Sequence, residues 1–428
     1  MTFDVVIIGG GQAGIPLAWA LAKKGLRVAL AERKYLGGSC VNFGCTPTKA
    51  ALASARVAQL ARRGAEFGLR IPEVSVDFPA VIQRARDIAL ESRHSLEKGL
   101  ANSENPKWLR GHARLEGANR VRVADESIET KQIVLNTGNR STIPAIPGLQ
   151  NYIHAGNWLD HDRLPERLRV IGAGNIGLEM AQFYRRMGSA VSVWETGPRV
   201  VAHEDEEVSA ALQGYLEKEG IEFHFNTHID SMPEGEQVFV ATGRTPNTGD
   251  LGLETAGVEC DAHGIVKVDR RLATNVPGIW AAGDIRGGPM FTHTSWDDYR
   301  ILLSQMAGDG SRTTDRIVPY AVFTDPELGR VGLTEREAKE QGRRFRVQRF
   351  EVKSNGKARE LGEAEGFIKV LTDESTGHIT GAALVCNEAG ELVHMYVDIM
   401  NAGAPASVIR DAVHIHPTLA EAVQSAVT

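Results

Sequence analysis

Short apolar runs alternate with amphipathic stretches along this chain, and glycines separate them. The first run, DVVIIG from Asp4, is followed by glycines, by a stretch with helical spacing of apolar positions and by a second apolar run ending at Glu32. The same order returns from Arg167, where RLRVIG leads through glycines and an amphipathic stretch to a run that ends at Glu195. The pattern therefore predicts an α/β fold that contains one strand–helix–strand unit twice.

Both units carry a G-x-G-x-x-G sequence between the first strand and the helix. Its glycines are Gly9, Gly11 and Gly14 in the first unit and Gly172, Gly174 and Gly177 in the second. Such glycines allow a tight turn and a close approach of backbone to a pyrophosphate, which the helix N-terminus attracts. In each unit a glutamate follows the last glycine by 18 residues and can accept hydrogen bonds from a ribose. Two dinucleotide sites on one chain suggest an electron relay rather than a simple dehydrogenase.

Composition narrows the class of partner. The 428 residues have a net charge of −6, which argues against nucleic acid as a ligand. We expect no membrane span and no signal peptide, because the apolar runs are short, and we expect a cytoplasmic location. The basic stretch at 343–349 is interpreted as a strand with one solvated face. The acidic stretch at 203–207 is interpreted as the solvated start of a helix rather than as a metal site.

The four cysteines are unevenly placed. Cys40 and Cys45 share one glycine-flanked stretch, GGSCVNFGCTPTK, whereas Cys260 and Cys386 are isolated and are interpreted as small buried hydrophobic residues. The close pair has three possible meanings: half of a metal site, a structural staple or a redox-active pair. The spacing of these two cysteines by itself leaves all three open.

Five motifs, in this order, resemble those of the class I pyridine nucleotide–disulfide oxidoreductases, the family of glutathione reductase, dihydrolipoamide dehydrogenase and mercuric reductase. The motifs are GGSCVNFGCTPTK, TGNRSTIPAIPG, ATGRTPN, NVPGIWAAGD and HIHPTLAEA. The resemblance implies two Rossmann-like dinucleotide-binding domains and a C-terminal α+β dimerisation domain. The expected boundaries are 1–149 and 266–315 for an FAD domain, 150–265 for an NAD(P) domain and 316–428 for the dimerisation domain.

The resemblance also implies which residues hold the cofactors. The first unit would hold FAD, with Glu32 on the adenosine ribose and Asp284 on the ribityl chain. Further FAD contacts would come from Thr137, Gly138, Gly283, Thr292, Lys49 and, beside Thr292, His293. The second unit, together with Gly243, would hold the nicotinamide cofactor. Because a carboxylate repels a 2′-phosphate, Glu195 favours NADH, while Arg199 keeps NADPH possible.

By the same resemblance the cysteine pair is catalytic, with Cys45 next to the flavin and Cys40 attacking the substrate. A helix N-terminus and nearby cations stabilise a thiolate, and a structural zinc site would need two more ligands. Lys49 would pair with Glu179 near the flavin. His416 and Glu421 match the family's acid/base dyad, which is completed in a homodimer by the partner subunit, and His414 would support it.

The implied activity passes electrons from NADH to FAD, then to Cys45–Cys40 and on to a disulfide or other oxidised acceptor, or the reverse as dithiol oxidation. The acceptor would be a small-molecule disulfide, a protein disulfide or a metal ion. Stretches such as FTHTSWDDYRIL resemble a branch of flavoproteins associated with reactive-chlorine resistance and copper(II) reduction. A metal-ion or oxidative-stress reductase is therefore the alternative, followed by a non-enzymatic redox-sensing flavoprotein. No resident metal is expected.

The chain departs from its relatives at three places. It lacks the C-terminal cysteine pair of mercuric reductases, and Asn175 stands where glutathione reductases have a gating tyrosine. The segment at 224–241 is shorter than the β-rich segment of relatives, which predicts a trimmed nicotinamide domain.

Overall fold

The computed structural model describes residues 2–428, which form three large sheets and one two-stranded ribbon. Two clusters of the hydrophobic core pack on the first sheet and one packs on the third. A further cluster, which contains Phe78, Val170 and Val385, joins the three parts of the chain. The mixture of parallel and antiparallel sheets agrees with the predicted α/β fold, whose last part is α+β.

The first sheet is built mainly from the N-terminal third of the chain. Its elements are β1 (Thr2–Ile8), α1 (Gly14–Lys23), β2 (Val28–Glu32), α2 (Gly38–Asn42), α3 (Cys45–Arg62), α4 (Phe78–Ala101), β3 (Lys107–Arg110), β4 (Ala113–Gly117), β5 (Arg120–Val123) and β6 (Glu126–Leu135). Strand β1 lies between β2 and β6 and is parallel to both. Because all three strands run in one direction, the glycine turn after β1 and the carboxylate of Glu32 meet at one edge of this sheet.

The second sheet has five parallel strands in the order β11–β10–β9–β12–β8. The elements of this part are β7 (Asn139–Ser141), β8 (Ile153–His154), β9 (Arg167–Ile171), α5 (Asn175–Met187), β10 (Ala190–Trp194), α6 (Glu206–Lys218), β11 (Ile221–His224), β12 (Val238–Val240) and β13 (Arg244–Pro246). Residues 225–237 form no strand, in line with the shortened segment. Strands β7 and β13 pair as the ribbon that joins the first two parts.

The chain then returns to the first sheet through β14 (Ile279–Ala281), which pairs with β6, and α7 (Thr292–Ala307). The return begins earlier than residue 266. Leu251, Leu253 and Val258 lie in the same core cluster as Leu115, and the Leu115 amide donates to the Leu251 carbonyl at 2.7 Å. The predicted boundary at 265/266 assigns these residues to the second domain, whereas they pack against residues of the first sheet.

The third sheet is antiparallel, in the order β15–β16–β19–β18–β17. Its elements are β15 (Tyr320–Val322), β16 (Glu327–Gly332), α8 (Glu335–Glu340), β17 (Phe345–Glu351), α9 (Gly356–Glu360), β18 (Phe367–Asp373), β19 (Ile379–Cys386), α10 (Ala389–Leu392), α11 (His394–Asn401), α12 (Ser407–Arg410) and α13 (Ala420–Ser425). The basic stretch at 343–349 lies largely in β17, so its interpretation as a strand is confirmed.

The interpretation of 203–207 as a solvated helix start is wrong in one respect. Helix α6 does begin there, but Glu204 is 0% and Asp205 8% exposed. The Arg330 guanidinium pairs with Glu204, and Lys369 Nζ lies 3.1 Å from Asp205 Oδ2. Both cations come from the third sheet, more than a hundred residues away in the chain. Local sequence therefore carried no sign that these carboxylates are neutralised and buried.

Candidate active site

The two close cysteines lie at the junction of two helices. Cys40 is in α2, and Cys45 is the first residue of the 18-residue helix α3. Both are free thiols, with Cys40 partly buried and Cys45 exposed. At the first residue of a long helix, the Cys45 sulfur is close to the unpaired N–H groups and to the positive end of the helix dipole. The structure therefore places Cys45 where an anionic sulfur is favoured.

The loop between the cysteines is braced from two sides. Trp158, which is buried, donates its indole N–H to the Phe43 carbonyl at 2.8 Å. The Asn42 amide donates to the carbonyls of Leu36 and Gly38 at 2.9 and 2.8 Å. Trp158 lies 115 residues beyond Phe43, and no sequence motif marks it as part of the site. These bonds fix the loop in which the thiols are presented.

The polar surroundings of the thiols differ. The Thr292 hydroxyl lies 3.1 Å from the Cys45 sulfur. A hydrogen bond with Cys40 lowers the pKa of Cys45 to about 6, with help from Thr292 and the positive charge of Lys49. Partial desolvation of the sulfur acts in the opposite direction, although Cys45 as a residue is exposed. The same hydrogen bond, together with burial, raises the pKa of Cys40 far above its usual range. Cys45 is thus the sulfur that ionises first, and Cys40 is its hydrogen-bond donor.

Lys49 and Glu179 are brought together as the sequence predicted. Lys49 Nζ lies 2.8 Å from Glu179 Oε2, and Glu179 is buried. The other carboxylate oxygen accepts the Phe323 amide at 3.0 Å, and the Phe323 ring lies 4.4 Å from Lys49 Nζ. Phe323 belongs to the third part of the chain, so three separate segments converge on this pair. No sequence motif marks Phe323.

The first glycine turn has the geometry of a phosphate-binding site. Gly9 has φ +110°, and a Cβ atom there would come within 2.2 Å of the Asn136 carbonyl oxygen. Glu32 accepts the Gly10 amide at 2.8 Å and the Lys34 amide at 2.7 Å, which orients its carboxylate at the edge of the turn. The close backbone approach, the start of α1 and an oriented carboxylate fit the diphosphate and ribose of a dinucleotide.

The NVPGIWAAGD motif approaches the same edge through Gly283 and Asp284, which follow β14. Asp284 accepts hydrogen bonds from Asn139 at 2.9 Å and from Arg244 at 3.1 Å. Burial raises the pKa of Asp284, although Arg244 opposes this effect. Thr137 bonds to the Asn247 carbonyl at 2.9 Å, and Gly138 accepts the Asn247 amide at 2.9 Å, which closes the crossing ribbon. Neither Arg244 nor Asn139 was identified from the sequence.

The second glycine turn repeats the first. Glu195 accepts the Ala173 amide at 2.8 Å and the Gly197 amide at 2.7 Å, as Glu32 does in the first unit. A Cβ atom at Gly172 would come within 2.4 Å of the Ala241 carbonyl oxygen. Gly174 precedes α5 and Gly177 lies in its first turn. Gly243 lies between β12 and β13, as Gly138 lies between β6 and β7. Both predicted dinucleotide sites thus have the same architecture.

His416 and Glu421 also meet, with His416 Nδ1 3.0 Å from Glu421 Oε1. The Thr418 amide donates to the second oxygen at 2.8 Å, and this bond together with His416 lowers the pKa of Glu421. The His416 side chain is 77% exposed, and Glu421 is its only hydrogen-bond partner among residues 2–428. The dyad therefore faces outward, beside the exposed side chain of Ile415.

The two remaining candidate histidines have other surroundings. His293 Nε2 lies 2.7 Å from the Pro319 carbonyl, and its ring stacks on Phe291 at 5.2 Å. His414 has a buried Nδ1 with no hydrogen-bond partner in the described chain. Within residues 2–428 no group of three or more His, Cys, Asp or Glu side chains could hold a metal ion. In the same range no helix is long and apolar enough to cross a membrane.

Comparison with known proteins defines the class. Residues 3–298 match the model of the pyridine nucleotide-disulphide oxidoreductases, and residues 318–427 match the dimerisation domain of that family. The chain belongs to the pyridine nucleotide–disulphide oxidoreductase family. It is accordingly an FAD-containing, NAD(P)H-dependent disulfide oxidoreductase with a dimerisation domain, which confirms the resemblance and the enzyme class inferred from the motifs.

Similar individual proteins fall in two groups. The probable pyridine nucleotide-disulfide oxidoreductase RclA of Escherichia coli K12 is 33% identical, with 98% of each chain covered. A dihydrolipoyl dehydrogenase of Chlorobaculum tepidum is 35% identical, covering 99% of this chain and 96% of its own. Among solved structures, a Cu(II) complex of the HOCl-induced flavoprotein disulfide reductase RclA from Escherichia coli superimposes with a TM-score of 0.92 at 32% identity, covering 100% and 99% of the two chains.

Proposed function

We propose that Cys40 and Cys45 are the redox-active pair through which this oxidoreductase passes two electrons from NADH to an oxidised acceptor. The observation that carries the proposal is the environment of Cys45. It begins a long helix, lies 3.1 Å from the Thr292 hydroxyl and has a pKa lowered to about 6. A thiolate is the reactive form of cysteine, so this sulfur is ready to react at neutral pH.

FAD is assigned to the first glycine unit and the nicotinamide cofactor to the second. FAD held there would supply acceptance of a hydride from the nicotinamide and two-electron transfer to a disulfide. Glu32 would bind the hydroxyls of its adenosine ribose and Asp284 those of its ribityl chain. Thr137, Gly138 and Gly283 would make further contacts with it. Lys49 would lie near the flavin with its charge balanced by Glu179. The domain that binds FAD would resume near residue 250, where Leu251 joins the first core.

NADH is preferred over NADPH in this proposal. The Glu195 carboxylate is oriented by two backbone amides at the position of the adenosine ribose. Arg199, the one feature that favoured NADPH, donates to the Ala202 carbonyl at 3.0 Å and lies 3.7 Å from Glu206. Its guanidinium is therefore already engaged with its own loop and the start of α6.

The acceptor step is a thiol–disulfide exchange. Reduction of the Cys40–Cys45 disulfide takes up two electrons and two protons and yields two thiols. Cys40 then gives its proton to His416 of the partner subunit and attacks one sulfur of the substrate disulfide, and the first substrate thiol leaves with that proton. Cys45 attacks Cys40 and displaces the second substrate thiol, which takes up the proton lost from Cys45, as the protein disulfide re-forms. His416 of the partner subunit would hold and return the proton at the departing sulfur, with its ring oriented by Glu421. Reversal of these steps gives dithiol oxidation.

The dimerisation domain and the outward position of His416 support a homodimer as the working form. We also propose a cytoplasmic location, because Cys260 and Cys386 are isolated cysteines outside the redox pair, and such thiols persist in that reducing compartment.

An anaerobic NADH titration tests the proposal. The expected result is uptake of four electrons per flavin, two by the flavin and two by the Cys40–Cys45 disulfide. A long-wavelength absorption band from the Cys45 thiolate beside the flavin should appear during the titration. A Cys45→Ser variant should lack the band and a Cys260→Ser variant should keep it. Bleaching of the flavin with no such band in the wild type would show that the pair is not coupled to it.

A metal-ion reductase is the second candidate, and the structural similarity to a Cu(II) complex of RclA favours it. Two thiols suit soft metal ions. Two Cu(II) ions would take one electron each, leaving two Cu(I), the Cys40–Cys45 disulfide and two protons. Copper-dependent NADH oxidation that disappears in Cys40→Ser, without turnover of any disulfide, would favour this candidate over the first.

A further inference from the structure

Asn136 lies between the two FAD motifs and bonds to both. Its side-chain oxygen accepts the Gly14 amide at 2.9 Å, and its side-chain nitrogen donates to the Ala282 carbonyl at 2.8 Å. Gly14 opens α1, whereas Ala282 immediately precedes Gly283 and Asp284. Asn136 is only 7% exposed, so these two bonds are made away from water.

The glycines of the first site are fitted closely around this one residue. A Cβ atom would come within 2.2 Å of the Asn136 carbonyl oxygen at Gly9, within 3.2 Å of its side-chain oxygen at Gly11 and within 2.8 Å of its side-chain nitrogen at Gly283. Asn136 therefore holds the first glycine turn, the end of β6 and the turn after β14 in one arrangement. These three segments are far apart in the sequence.

The second dinucleotide unit provides an internal comparison. There Ala241 occupies the position of Asn136: its carbonyl oxygen is 2.4 Å from a Cβ atom at Gly172, and its methyl group 3.5 Å from one at Gly177. The backbone relationship is the same, but alanine has no side-chain polar atom with which to join the segments. The two units thus share glycines and carboxylates and differ at this residue.

We propose that Asn136 is a positioning residue that locks the first site around FAD and slows its release, a lock that Ala241 cannot supply in the second site. The difference suits a flavin that stays bound over many turnovers and a nicotinamide cofactor that leaves in each one. The inference rests on the assignment of FAD to the first unit. Removal of the side chain would leave the buried Gly14 amide and Ala282 carbonyl without partners, and the segments would separate more readily.

Release of FAD from the purified holoenzyme measures the lock, followed as the rise of flavin fluorescence on dilution into flavin-free buffer. Asn136→Ala should release FAD at least tenfold faster than wild type, with the dissociation constant for NADH changed less than twofold. Asn105→Ala is the matched control. Asn105 also accepts one backbone amide, from Val28 at 3.0 Å, and donates to one carbonyl, of Leu26 at 2.8 Å, but at the opposite end of β2.

The proposal would be overturned if Asn136→Ala released FAD at the wild-type rate. It would also be overturned if Asn105→Ala released FAD as fast as Asn136→Ala does. If Asn136→Ala does not fold, Asn136→Asp serves as the second variant. Its carboxylate keeps the acceptor for the Gly14 amide but, when ionised, loses the donor to the Ala282 carbonyl, so FAD release should become faster as the pH rises. Release from Asn136→Asp at the wild-type rate and independent of pH would overturn the proposal. A Gly11→Val variant separates the two inferences. Loss of NADH rather than FAD from Gly11→Val would refute the cofactor assignment, whereas loss of FAD there with retention in Asn136→Ala would refute only the function of Asn136.

Discussion

The Thr292 hydroxyl lies 3.1 Å from the Cys45 sulfur, although 247 positions separate the two residues in the chain. Thr292 is the first residue of α7 and Cys45 the first of α3, so two helix N-termini converge on one sulfur. Both helix dipoles favour negative charge there. The site is therefore electrostatically prepared for a thiolate before any substrate arrives.

Thr292→Ala should raise the pKa of Cys45 from about 6 towards 7. A hydrogen bond to a charged group contributes roughly 1.5–3 kcal/mol, and about 1.4 kcal/mol corresponds to one pH unit. In the reduced wild-type protein, alkylation of Cys45 by iodoacetamide should increase as the pH rises through 6, because the thiolate is the reactive form. The increase should move to higher pH in Thr292→Ala and stay in place in Thr292→Ser, which keeps the hydroxyl. Identical profiles for all three proteins would contradict the assignment.

Removal of Lys49 should be more harmful than loss of an exposed lysine. Glu179 is buried and would lose its counter-ion in Lys49→Met, which we expect to lower the free energy of unfolding by about 2–4 kcal/mol and to slow reduction by NADH. Lys357→Met, at an exposed ion pair with Glu360, should leave both unchanged. Denaturant unfolding and stopped-flow absorbance measure the two effects. Equal losses in the two variants would argue against a special function for the Lys49–Glu179 pair.

The His416–Glu421 dyad should act across the dimer. His416→Gln should slow the acceptor step by roughly 10²–10⁴-fold and leave reduction by NADH intact. Heterodimers that combine a Cys40→Ser subunit with a His416→Gln subunit should recover about half of wild-type activity per dimer, because one of the two sites then has all its groups. Inactive heterodimers would place the dyad and the cysteines in the same subunit. His378→Asn, an exposed histidine bonded to the Gly403 carbonyl, is the control.

Glu195 should set the cofactor preference. Glu195→Ala should reduce kcat/KM for NADH about tenfold, because the carboxylate no longer accepts hydrogen bonds from the ribose. The value for NADPH should stay nearly unchanged, because the carboxylate's repulsion of the 2′-phosphate is lost together with its favourable contacts. Arg199→Ala should alter the ratio of the two constants less than twofold, because Arg199 is engaged with the Ala202 carbonyl. A selective loss of NADPH activity in Arg199→Ala would show that this guanidinium reaches the phosphate.

Lys369 should be essential for stability, because it is 2% exposed and pairs with Asp205, Glu207 and Glu335. Lys369→Met would leave these carboxylates without their shared cation, and we expect a loss of about 3–5 kcal/mol in unfolding free energy. Lys339 also pairs with Glu335 but is exposed, so Lys339→Met should cost less than about 1 kcal/mol. Urea denaturation compares the variants, and similar midpoints would refute the buried network as a source of stability.

Sequence and structure agree best where the chemistry depends on local spacing. Gly9, Gly14 and Glu32 meet at one edge of the first sheet because a strand, a tight turn, a helix and a second strand fix their separation along the chain. For the same reason Cys40 and Cys45 could be identified as neighbours, and His416 lies within reach of Glu421. Local spacing was therefore enough to predict the two dinucleotide units, whereas the class of chemistry and most candidate site residues followed from the resemblance of the motifs to a known family.

Tertiary structure decided which distant residues complete those units. Thr292 lies against Cys45, and Asn136 bonds to both Gly14 and Ala282. Trp158 braces the cysteine loop, and Phe323 contacts both Lys49 and Glu179. The burial of Glu204 was likewise decided by Arg330 from another sheet. Hydrogen bonds and ion pairs act over about 3–4 Å in space whatever the separation in sequence, so no local pattern records them.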